Sequence, residues 1–358
     1  MRFCDECGLA NDLVATHCVS CLRPLAHKPH TITMPVASIT ITPSSELEVI
    51  PGNVFTAVDT QSGNILADRH RVWKEIGYGG FSTVYWGRER VKDHRKVAIK
   101  RIQLSALTPR QIIDATETFN REVAMLSRFK GTKGIPQLYE HLTDAENWYL
   151  IMEYIDGQTL EEYLQQAPDG YLPEKEVIRI GIAIAHIVQE LHMVDPPVIF
   201  RDIKPSNMLI TPDHDMFLID FGIARTFTPG KKRDTIPLGT PGYASPEHYG
   251  RAQTDQRSDI YSLGATLQTL VTGCDVLELA SGEASRNPKR PSRALRKLLD
   301  EMLSPDTTQR PPDMVHVQRR LKNIPPVPII PHTFYSYLRG FLQKVSDLIH
   351  NGVQVDLK

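Results

Sequence analysis

The stretch that decides the fold reads FRDIKPSN and runs from Phe200 to Asn207. It places an aspartate, a lysine and an asparagine within six positions, and the triplet Asp220-Phe221-Gly222 follows thirteen residues after Asn207. The motifs that precede and follow this stretch give it its meaning.

A glycine-rich stretch lies upstream and reads GYGGFSTV from Gly77 to Val84. Glycines at this spacing let backbone N–H groups approach phosphate oxygens, because no Cβ stands in the way. A glycine-rich hairpin is nevertheless more often only a turn. This stretch indicates phosphate binding only through the residues that follow it.

Lys100 comes sixteen residues after Val84 and closes the strand-like run Val97-Ala98-Ile99-Lys100. Alternation along a strand places Lys100 on the same face as Ala98, opposite the two branched residues. Further on, Glu122 shares a helical face with apolar residues, so it is carried towards the core with a charge to neutralise. The sequence predicts that Lys100 neutralises it.

With these motifs in order, the chain resembles the eukaryotic-type (Hanks-type) serine/threonine protein kinases, from about residue 70 to about residue 320. The resemblance implies an α+β fold of two lobes, a small β-rich N-lobe and a larger helical C-lobe. Strand-like runs that precede long helical stretches independently favour this class. The resemblance also implies ATP and Mg²⁺ as cofactors and proteins as substrates, and we expect a bacterial source.

Roles for single residues follow from the resemblance. It implies that Asp202 accepts or orients the proton of the substrate hydroxyl and that Lys204 neutralises the γ-phosphate as it transfers. Asn207 and Asp220 would hold the magnesium ions. The residues expected to bind ATP are Gly77, Gly79, Val84, Ala98, Lys100, Glu122, Met152 and Glu153.

Two downstream motifs extend the match. The stretch GTPGYASPE, which ends at Glu247, resembles the end of an activation segment, and SDIYSLG, which starts at Ser258, resembles the buried central helix of the large lobe. Arg310 would be the ion-pair partner of Glu247. Lys204, two positions after Asp202, indicates hydroxyl amino acids as substrates. Within the activation segment, Thr235 is the expected phosphorylation site.

Three positions depart from the family pattern. Phe200 stands where the family usually has histidine, Ser82 where a third glycine is common, and Ser245 where alanine is frequent. None of these changes removes a group that binds phosphate or metal. Phe200 still offers an aromatic ring to pack against Phe221, so we expect the hydrophobic stack to persist. The region after Gly273 looks short and irregular.

Four of the five cysteines lie within the first 21 residues, in the pattern C-x2-C-x10-C-x2-C. Two such pairs on tight turns supply a closed tetrahedral site, so we expect a zinc ribbon whose ligands are Cys4, Cys7, Cys18 and Cys21. Redox chemistry and an iron–sulfur cluster are the alternatives. His17 and His27 are read as bystanders, and the remaining Cys274 is read as a small buried side chain.

The chain therefore divides into five segments. They are a zinc ribbon over 1–28, a linker over 29–65, a protein kinase domain over 66–322, a proline-rich connector over 323–332 and an amphipathic helix over 333–350. We expect the last helix to dock on the catalytic domain or to pair with a second copy rather than to lie on a membrane.

The bulk composition is that of an ordinary soluble protein, with 41% hydrophobic residues and a formal net charge of -1. Nothing in it predicts a membrane span, a signal peptide or nucleic-acid binding, so we expect a cytoplasmic protein. The zinc ribbon would bind a protein partner. A catalytically weak pseudokinase scaffold and a small-molecule phosphotransferase of related fold are the competing interpretations.

Overall fold

The computed structural model describes most of the chain between Ile65 and Pro325 and three isolated residue pairs before it. The described residues are 2–3, 10–11, 53–54, 65–67, 69–79, 82–90, 95–144, 146–227, 239–249, 253–282 and 290–325. Within these ranges, no helix has both the length and the apolar character that crossing a bilayer requires.

The chain forms two compact units, Met1–Glu48 and Val49–Lys358. In the first unit, strand β1 (Arg2–Phe3) pairs antiparallel with β2 (Ala10–Asn11). The second unit contains the remaining described elements and is organised as an N-lobe, built on one large sheet, and a helical C-lobe.

The N-lobe sheet has seven strands among the described residues. They are β3 (Asn53–Val54), β4 (Ile65–Leu66), β5 (His70–Tyr78), β6 (Ser82–Glu89), β7 (Lys96–Gln103), β8 (Leu138–Thr143) and β9 (Asn147–Glu153). Their order across the sheet is β3-β8-β9-β7-β6-β5-β4. All neighbours are antiparallel except β3 and β8, which run parallel with Asn53 opposite Leu142. Strand β3, which comes from the expected linker, and strand β4, which begins at the last residue of that linker, therefore form the two edges of the sheet.

Helix α1 (Pro109–Arg128) contributes its apolar side to the core of this lobe. It begins with a capping box, in which the Thr108 side chain accepts a hydrogen bond from the N–H of Gln111 and the Gln111 side chain accepts one from the N–H of Thr108. Pro109 occupies the first turn, where no N–H is needed. The buried residues that join helix and sheet are Ile102, Ala115, Phe119, Val123, Trp148 and Leu150.

Helices dominate the C-lobe. They are α2 (Leu160–Gln165), α3 (Glu174–Met193), α4 (Gln256–Thr272), α5 (Val276–Ser281), α6 (Arg293–Met302) and α7 (Met314–Lys322). The short strands are β10 (Gln158–Thr159), β11 (Val198–Ile199), β12 (Met208–Ile210), β13 (Met216–Leu218) and β14 (Arg225–Thr226). Single turns of 3₁₀ helix occur at Leu104–Ala106, Pro205–Asn207, Pro246–Tyr249 and Thr307–Gln309.

Helix α4 lies at the centre of the C-lobe and is buried on nearly all sides. Two of its polar residues, Asp259 and Ser262, are as inaccessible as its leucines. The helix ends at Gly273, whose φ of 77° is left-handed. A Cβ at this position would lie 2.3 Å from the carbonyl oxygen of Gly170, so only glycine fits the close approach.

The region after Gly273, expected to be short and irregular, contains the short helix α5, and residues 283–289 before α6 lie outside the described residues. The side chain of Asp275 accepts a hydrogen bond from the N–H of Glu278, and the side chain of Glu278 accepts one from the N–H of Asp275. Gly282, with a φ of 72°, ends the helix. These ordinary start and stop signals cap both ends of a helix of six residues.

Candidate active site

The polar residues predicted to carry chemistry converge in a cleft between the two lobes. The loop between β11 and β12 carries Asp202, Lys204 and Asn207, and the loop between β13 and β14 carries Asp220. Strands β12 and β13 pair antiparallel, and the N–H of Ile219 donates to the carbonyl of Asn207 at 2.9 Å. This pairing brings the two loops side by side.

Asp202 is held at both carboxylate oxygens. Oδ2 accepts a hydrogen bond from the Asn207 amide at 2.6 Å and lies 2.9 Å from the Lys204 ammonium. Oδ1 accepts one from the hydroxyl of Thr240 at 2.9 Å, and Lys204 donates to that same hydroxyl at 2.7 Å. The carboxylate is therefore fixed in orientation before any substrate arrives.

The backbone before Asp202 is anchored to helix α4. The N–H groups of Phe200 and Arg201 donate to the two carboxylate oxygens of buried Asp259, at 2.9 Å and 2.8 Å. His192, on α3, places its Nε2 2.8 Å from the same carboxylate. Arg201 itself has a left-handed φ of 72°. Asp259 thus supports a backbone conformation that a non-glycine residue seldom adopts.

Lys100, Glu122 and Asp220 form a second polar group opposite the first. The Lys100 ammonium donates to Glu122 at 2.7 Å and 2.9 Å and to Asp220 at 3.3 Å. Burial alone would lower the pKa of Lys100, but the two carboxylates outweigh it and raise that pKa. The positive charge of Lys100 in turn lowers the pKa of Asp220. The Lys100 ammonium and the Asp220 carboxylate therefore both stay ionised.

The sheet supplies one continuous wall of the cleft. Val84 pairs across to Lys100, and Ala98 pairs across to Met152, so these four side chains share one face of the sheet. Glu153, by contrast, turns its carboxylate to the backbone N–H of Gln137 at 3.2 Å.

The glycine-rich stretch enters this wall as a hairpin. Gly77 pairs with Val84, and the N–H of Gly79 donates to the carbonyl of Ser82 at 2.7 Å. A Cβ at Gly77 would meet no atom within 4 Å, so the space beside this glycine is open.

The oxygens and ammonium groups of this site fit magnesium and a nucleoside triphosphate. The Asn207 amide nitrogen is engaged with Asp202, which leaves its Oδ1 for a cation. The Asp220 carboxylate is about half exposed, at 49%, and hard divalent cations prefer such oxygen ligands. Two ammonium groups, on Lys100 and Lys204, stand ready to compensate phosphate charge.

A comparison with protein families decides the identity of the fold. The family described as the protein kinase domain matches residues 70–320, which is more than half of the chain. This chain belongs to the protein kinase family.

The kinase domain resembles curated serine/threonine kinases of plants and bacteria. It is 33% identical over 216 residues to the calmodulin-binding receptor-like cytoplasmic kinase 2 of Arabidopsis thaliana, covering 59% of this chain and 51% of that protein. It is 33% identical over 222 residues to the serine/threonine-protein kinase PknL of Mycobacterium bovis, covering 60% and 52%. A probable serine/threonine-protein kinase of Clostridium perfringens is 33% identical over 212 residues, covering 59% and 30%.

The chain thus spans about half or less of the length of these relatives. Because they come from both plants and bacteria, the expected bacterial source stays a prediction.

Other predicted contacts of the kinase domain are present. Phe200 and Phe221 are fully buried and meet edge to face, with ring centroids 5.0 Å apart. The aromatic stack therefore persists although phenylalanine replaces histidine. Glu247 and Arg310 form the expected ion pair, and Cys274 is buried.

Five of the predicted functional residues lie outside the part of the chain that the structure describes. They are the four cysteines expected to bind zinc and the expected phosphorylation site Thr235. Among described residues, no cluster of three or more histidine, cysteine or acidic side chains could hold a metal ion.

Sequence reasoning missed the supporting residues Asp259 and His192. Asp259 stood inside the SDIYSLG motif, but nothing in the motif indicated which groups it would hold. Only the residue type of Asp259 gave a signal: a carboxylate on a helix that is buried on nearly all sides needs hydrogen-bond donors close by.

Proposed function

We propose that this chain is a serine/threonine protein kinase that transfers the γ-phosphate of ATP to hydroxyl groups of proteins, including its own. One observation carries the proposal: the Asp202 carboxylate is fixed by Asn207 and Thr240, and the Lys100 ammonium of the N-lobe sheet reaches Asp220 on the adjacent C-lobe loop at 3.3 Å. Phosphoryl transfer requires mainly positioning and compensation of charge, and these two groups supply both.

In this proposal Asp202 orients the substrate hydroxyl and accepts its proton as the hydroxyl oxygen bonds to the γ-phosphorus, while the bond from that phosphorus to the oxygen of the leaving ADP breaks. Lys204, 2.9 Å from that carboxylate, neutralises charge on the transferring group. Asn207 and Asp220 would hold magnesium through their oxygens, and Lys100 would bind the α- and β-phosphates. When bound, MgATP supplies the phosphoryl group together with the charge compensation of the metal.

The substrate class rests on Lys204 and on the family relationship. Lys204 contacts both Asp202 and Thr240, so it stands where a small hydroxyl side chain would meet the catalytic carboxylate. The fork between Glu247 and Arg310 favours a protein kinase over a small-molecule phosphotransferase. Which proteins it phosphorylates is a matter for experiment.

The pseudokinase interpretation is the main rival. A scaffold without catalysis has no need of Lys100, Glu122, Asp202, Asn207 and Asp220 together, and this chain has all five. Their contacts support catalysis, since each charged member is paired with an opposite charge or a hydrogen-bond donor at 3.3 Å or less.

Incubation of the purified chain with labelled ATP, Mg²⁺ and a generic protein substrate tests the proposal. We expect phosphate on serine or threonine, and we expect Asp202→Asn to lower the rate by about a hundredfold to ten-thousandfold without unfolding the chain. Asp215→Asn is the matched control, because the Asp215 side chain is half exposed and its carboxylate pairs with surface Lys133. No transfer by the wild type, with ATP binding retained, would favour the scaffold.

We also propose that the first 28 residues form a zinc ribbon whose ligands are Cys4, Cys7, Cys18 and Cys21. The spacing of the cysteines supports it, and so does the pairing of Arg2–Phe3 with Ala10–Asn11, two strands that flank the first cysteine pair in sequence. Zinc there would stabilise its own small fold. A protein partner for this module and a cytoplasmic setting, in which ATP is available, complete the proposal.

The remaining segments are proposed with the boundaries predicted above. The kinase domain would run over 66–322, with the linker before it and the connector after it. The amphipathic helix over 333–350 lies outside the described residues and stays a prediction.

A further inference from the structure

Arg121 makes a contact that the proposed mechanism does not use. It precedes Glu122 on helix α1, and its Nη1 donates a hydrogen bond to the carbonyl oxygen of Gly222 at 2.8 Å. Gly222 lies two residues after Asp220. A hydrogen bond from a charged guanidinium is shorter and stronger than one between neutral groups.

The turn that Arg121 holds has an uncommon backbone conformation. Asp220 has a left-handed φ of 66°, which few non-glycine residues adopt, although aspartate is among those that do so more often. Within the turn, the N–H of Gly222 donates to Asp220 Oδ1 at 3.2 Å, so the position of Gly222 orients the carboxylate directly.

Helix α1 approaches this turn closely. A Cβ on Gly222 would lie 2.8 Å from the methyl group of Thr118 and 3.1 Å from Asp220 Oδ1. Thr118 stands one helical turn before Arg121, on the same side of α1. The packing leaves little freedom for the turn to move while the helix stays in place.

Two adjacent residues of α1 thus reach the two ends of one turn. Glu122 acts on the side chain of Asp220 through Lys100, and Arg121 acts on the backbone of Gly222 directly. A displacement of α1 would loosen both connections together.

We propose that Arg121 is a positioning residue, which couples the placement of helix α1 to the orientation of the magnesium-binding carboxylate of Asp220. This inference rests on the proposed function, because the importance of Asp220 depends on it. Arg121 touches no reacting atom. Its effect reaches the chemistry through the carbonyl of Gly222 and the hydrogen bond from Gly222 to Asp220.

The same helix offers a matched control. Arg128, in its last turn, donates to the carbonyl oxygens of Asp195 and Pro196 at 3.0 Å and 3.1 Å. It therefore ties α1 to a backbone segment of the C-lobe as Arg121 does, but away from the magnesium-binding turn. A merely structural role for both arginines would make the two variants behave alike.

The experiment compares the full-length chain with Arg121→Ala, Arg121→Lys and Arg128→Ala. For each we would measure the melting temperature, kcat, the KM for ATP and the Mg²⁺ concentration that gives half-maximal rate. Arg121→Ala should raise that Mg²⁺ concentration and lower kcat by about tenfold each, the loss expected for one charge-assisted hydrogen bond. Arg121→Lys keeps a charged donor, so its kcat and its Mg²⁺ requirement should each differ from the wild type by only about threefold.

The control decides between positioning and structure. Arg128→Ala should lower the melting temperature as much as Arg121→Ala does while leaving the Mg²⁺ requirement within about twofold of the wild type. Equal shifts in the two variants, or an unchanged Mg²⁺ requirement in Arg121→Ala, would overturn the proposal. If Arg121→Ala does not fold, Arg121→Lys carries the same comparison.

Failure of the proposed function would be visible separately. If the wild type transfers no phosphate, the Mg²⁺ dependence of binding of a fluorescent ATP analogue replaces the rate. If Arg121→Ala alone needs a higher Mg²⁺ concentration for half-maximal binding of the analogue, the coupling is still supported. Identical binding curves for all variants would refute it.

Discussion

Arg310 holds Glu247 in a fork of two hydrogen bonds, of 2.6 Å and 3.0 Å, inside the C-lobe. The side chain of Arg310 is fully buried and that of Glu247 is 7% exposed. The hydroxyl of Ser258 donates to the same carboxylate at 2.7 Å. Burial alone would raise the pKa of Glu247, but the bonds and charge of Arg310 lower it to about 2.

Replacement of Glu247 by glutamine should destabilise the kinase domain strongly. It leaves the Arg310 charge buried without a counter-charge, and the expected loss is about 3–5 kcal/mol of unfolding free energy in urea titrations. Glu301→Gln is the matched control, since Glu301 and Arg320 form a similar fork at 2.7 Å and 3.1 Å on the surface. Its loss should stay below about 1 kcal/mol. Equal losses in the two variants would contradict the assigned role of burial.

The contribution of Glu247 should also depend on pH. Because folding lowers its pKa from 4.5 to about 2, its stabilisation is complete above pH 4.5 and is lost as pH falls through about 2. The unfolding free energies of the wild type and of Glu247→Gln should therefore converge in that window. A difference that stays constant from pH 6 to about pH 2 would show that the charge of Glu247 is not involved.

Gly222→Ala should impair catalysis, and Thr118→Ser should partly repair it. The added Cβ would stand 2.8 Å from the Thr118 methyl group, so we expect kcat to fall by about tenfold or more. Serine lacks that methyl group but keeps the hydroxyl that donates to the carbonyl of Asp114 at 2.8 Å. Rates of the single and double variants, with Thr118→Ser as baseline, measure the rescue. It should be incomplete because Asp220 Oδ1 would still lie 3.1 Å away.

The purified chain should carry one zinc ion, and its removal should leave the kinase intact. A closed metal site contributes its binding free energy to its own module. Metal analysis should find no zinc in the variant Cys4→Ser/Cys18→Ser, while Cys274→Ser, which alters a buried thiol elsewhere, should retain it. Phosphotransfer should be the same before and after chelation. Zinc that persists in the double variant would remove these cysteines as ligands.

Phosphorylation of Thr235 should raise activity. Arg201 directly precedes Asp202. In the serine/threonine kinases that the chain resembles, such an arginine helps to hold a phosphorylated residue of the activation segment. A phosphate adds about -1.5 to -2 charge, which would neutralise the neighbouring basic residues Lys231, Lys232 and Arg233. Mass spectrometry should find this phosphate in active protein, and Thr235→Ala should lower the rate towards an added substrate. Thr226→Ala, at the start of the segment, is the comparison. Full activity of Thr235→Ala would end the hypothesis.

The sequence predicted those contacts that short motifs specify. Lys100 and Glu122, Phe200 and Phe221, and Glu247 and Arg310 could be paired because each sits in a motif whose partner is known from the family. What the motifs did not indicate was the support behind them. Asp259 meets the N–H of Phe200 across 59 positions of sequence, and a backbone N–H carries no residue-specific signal.

Two further misses have different physical causes. Helix α5 was predictable in principle from the Asp275 and Glu278 cap, but its six residues are too short to show a periodicity. The strand Asn53–Val54 depends on pairing with β8, at Leu142 and Thr143, and two residues have no alternation to read.

The position of β3 at the sheet edge affects where a recombinant fragment of the kinase domain should begin. A recombinant fragment that starts at residue 66 would contain the whole family match at 70–320, yet it would lack both β3 and the first residue of β4. The outer N–H and C=O groups of β8 would then face solvent as an open edge, which favours strand exchange between molecules and aggregation. Fragments intended for expression should therefore begin upstream of Asn53.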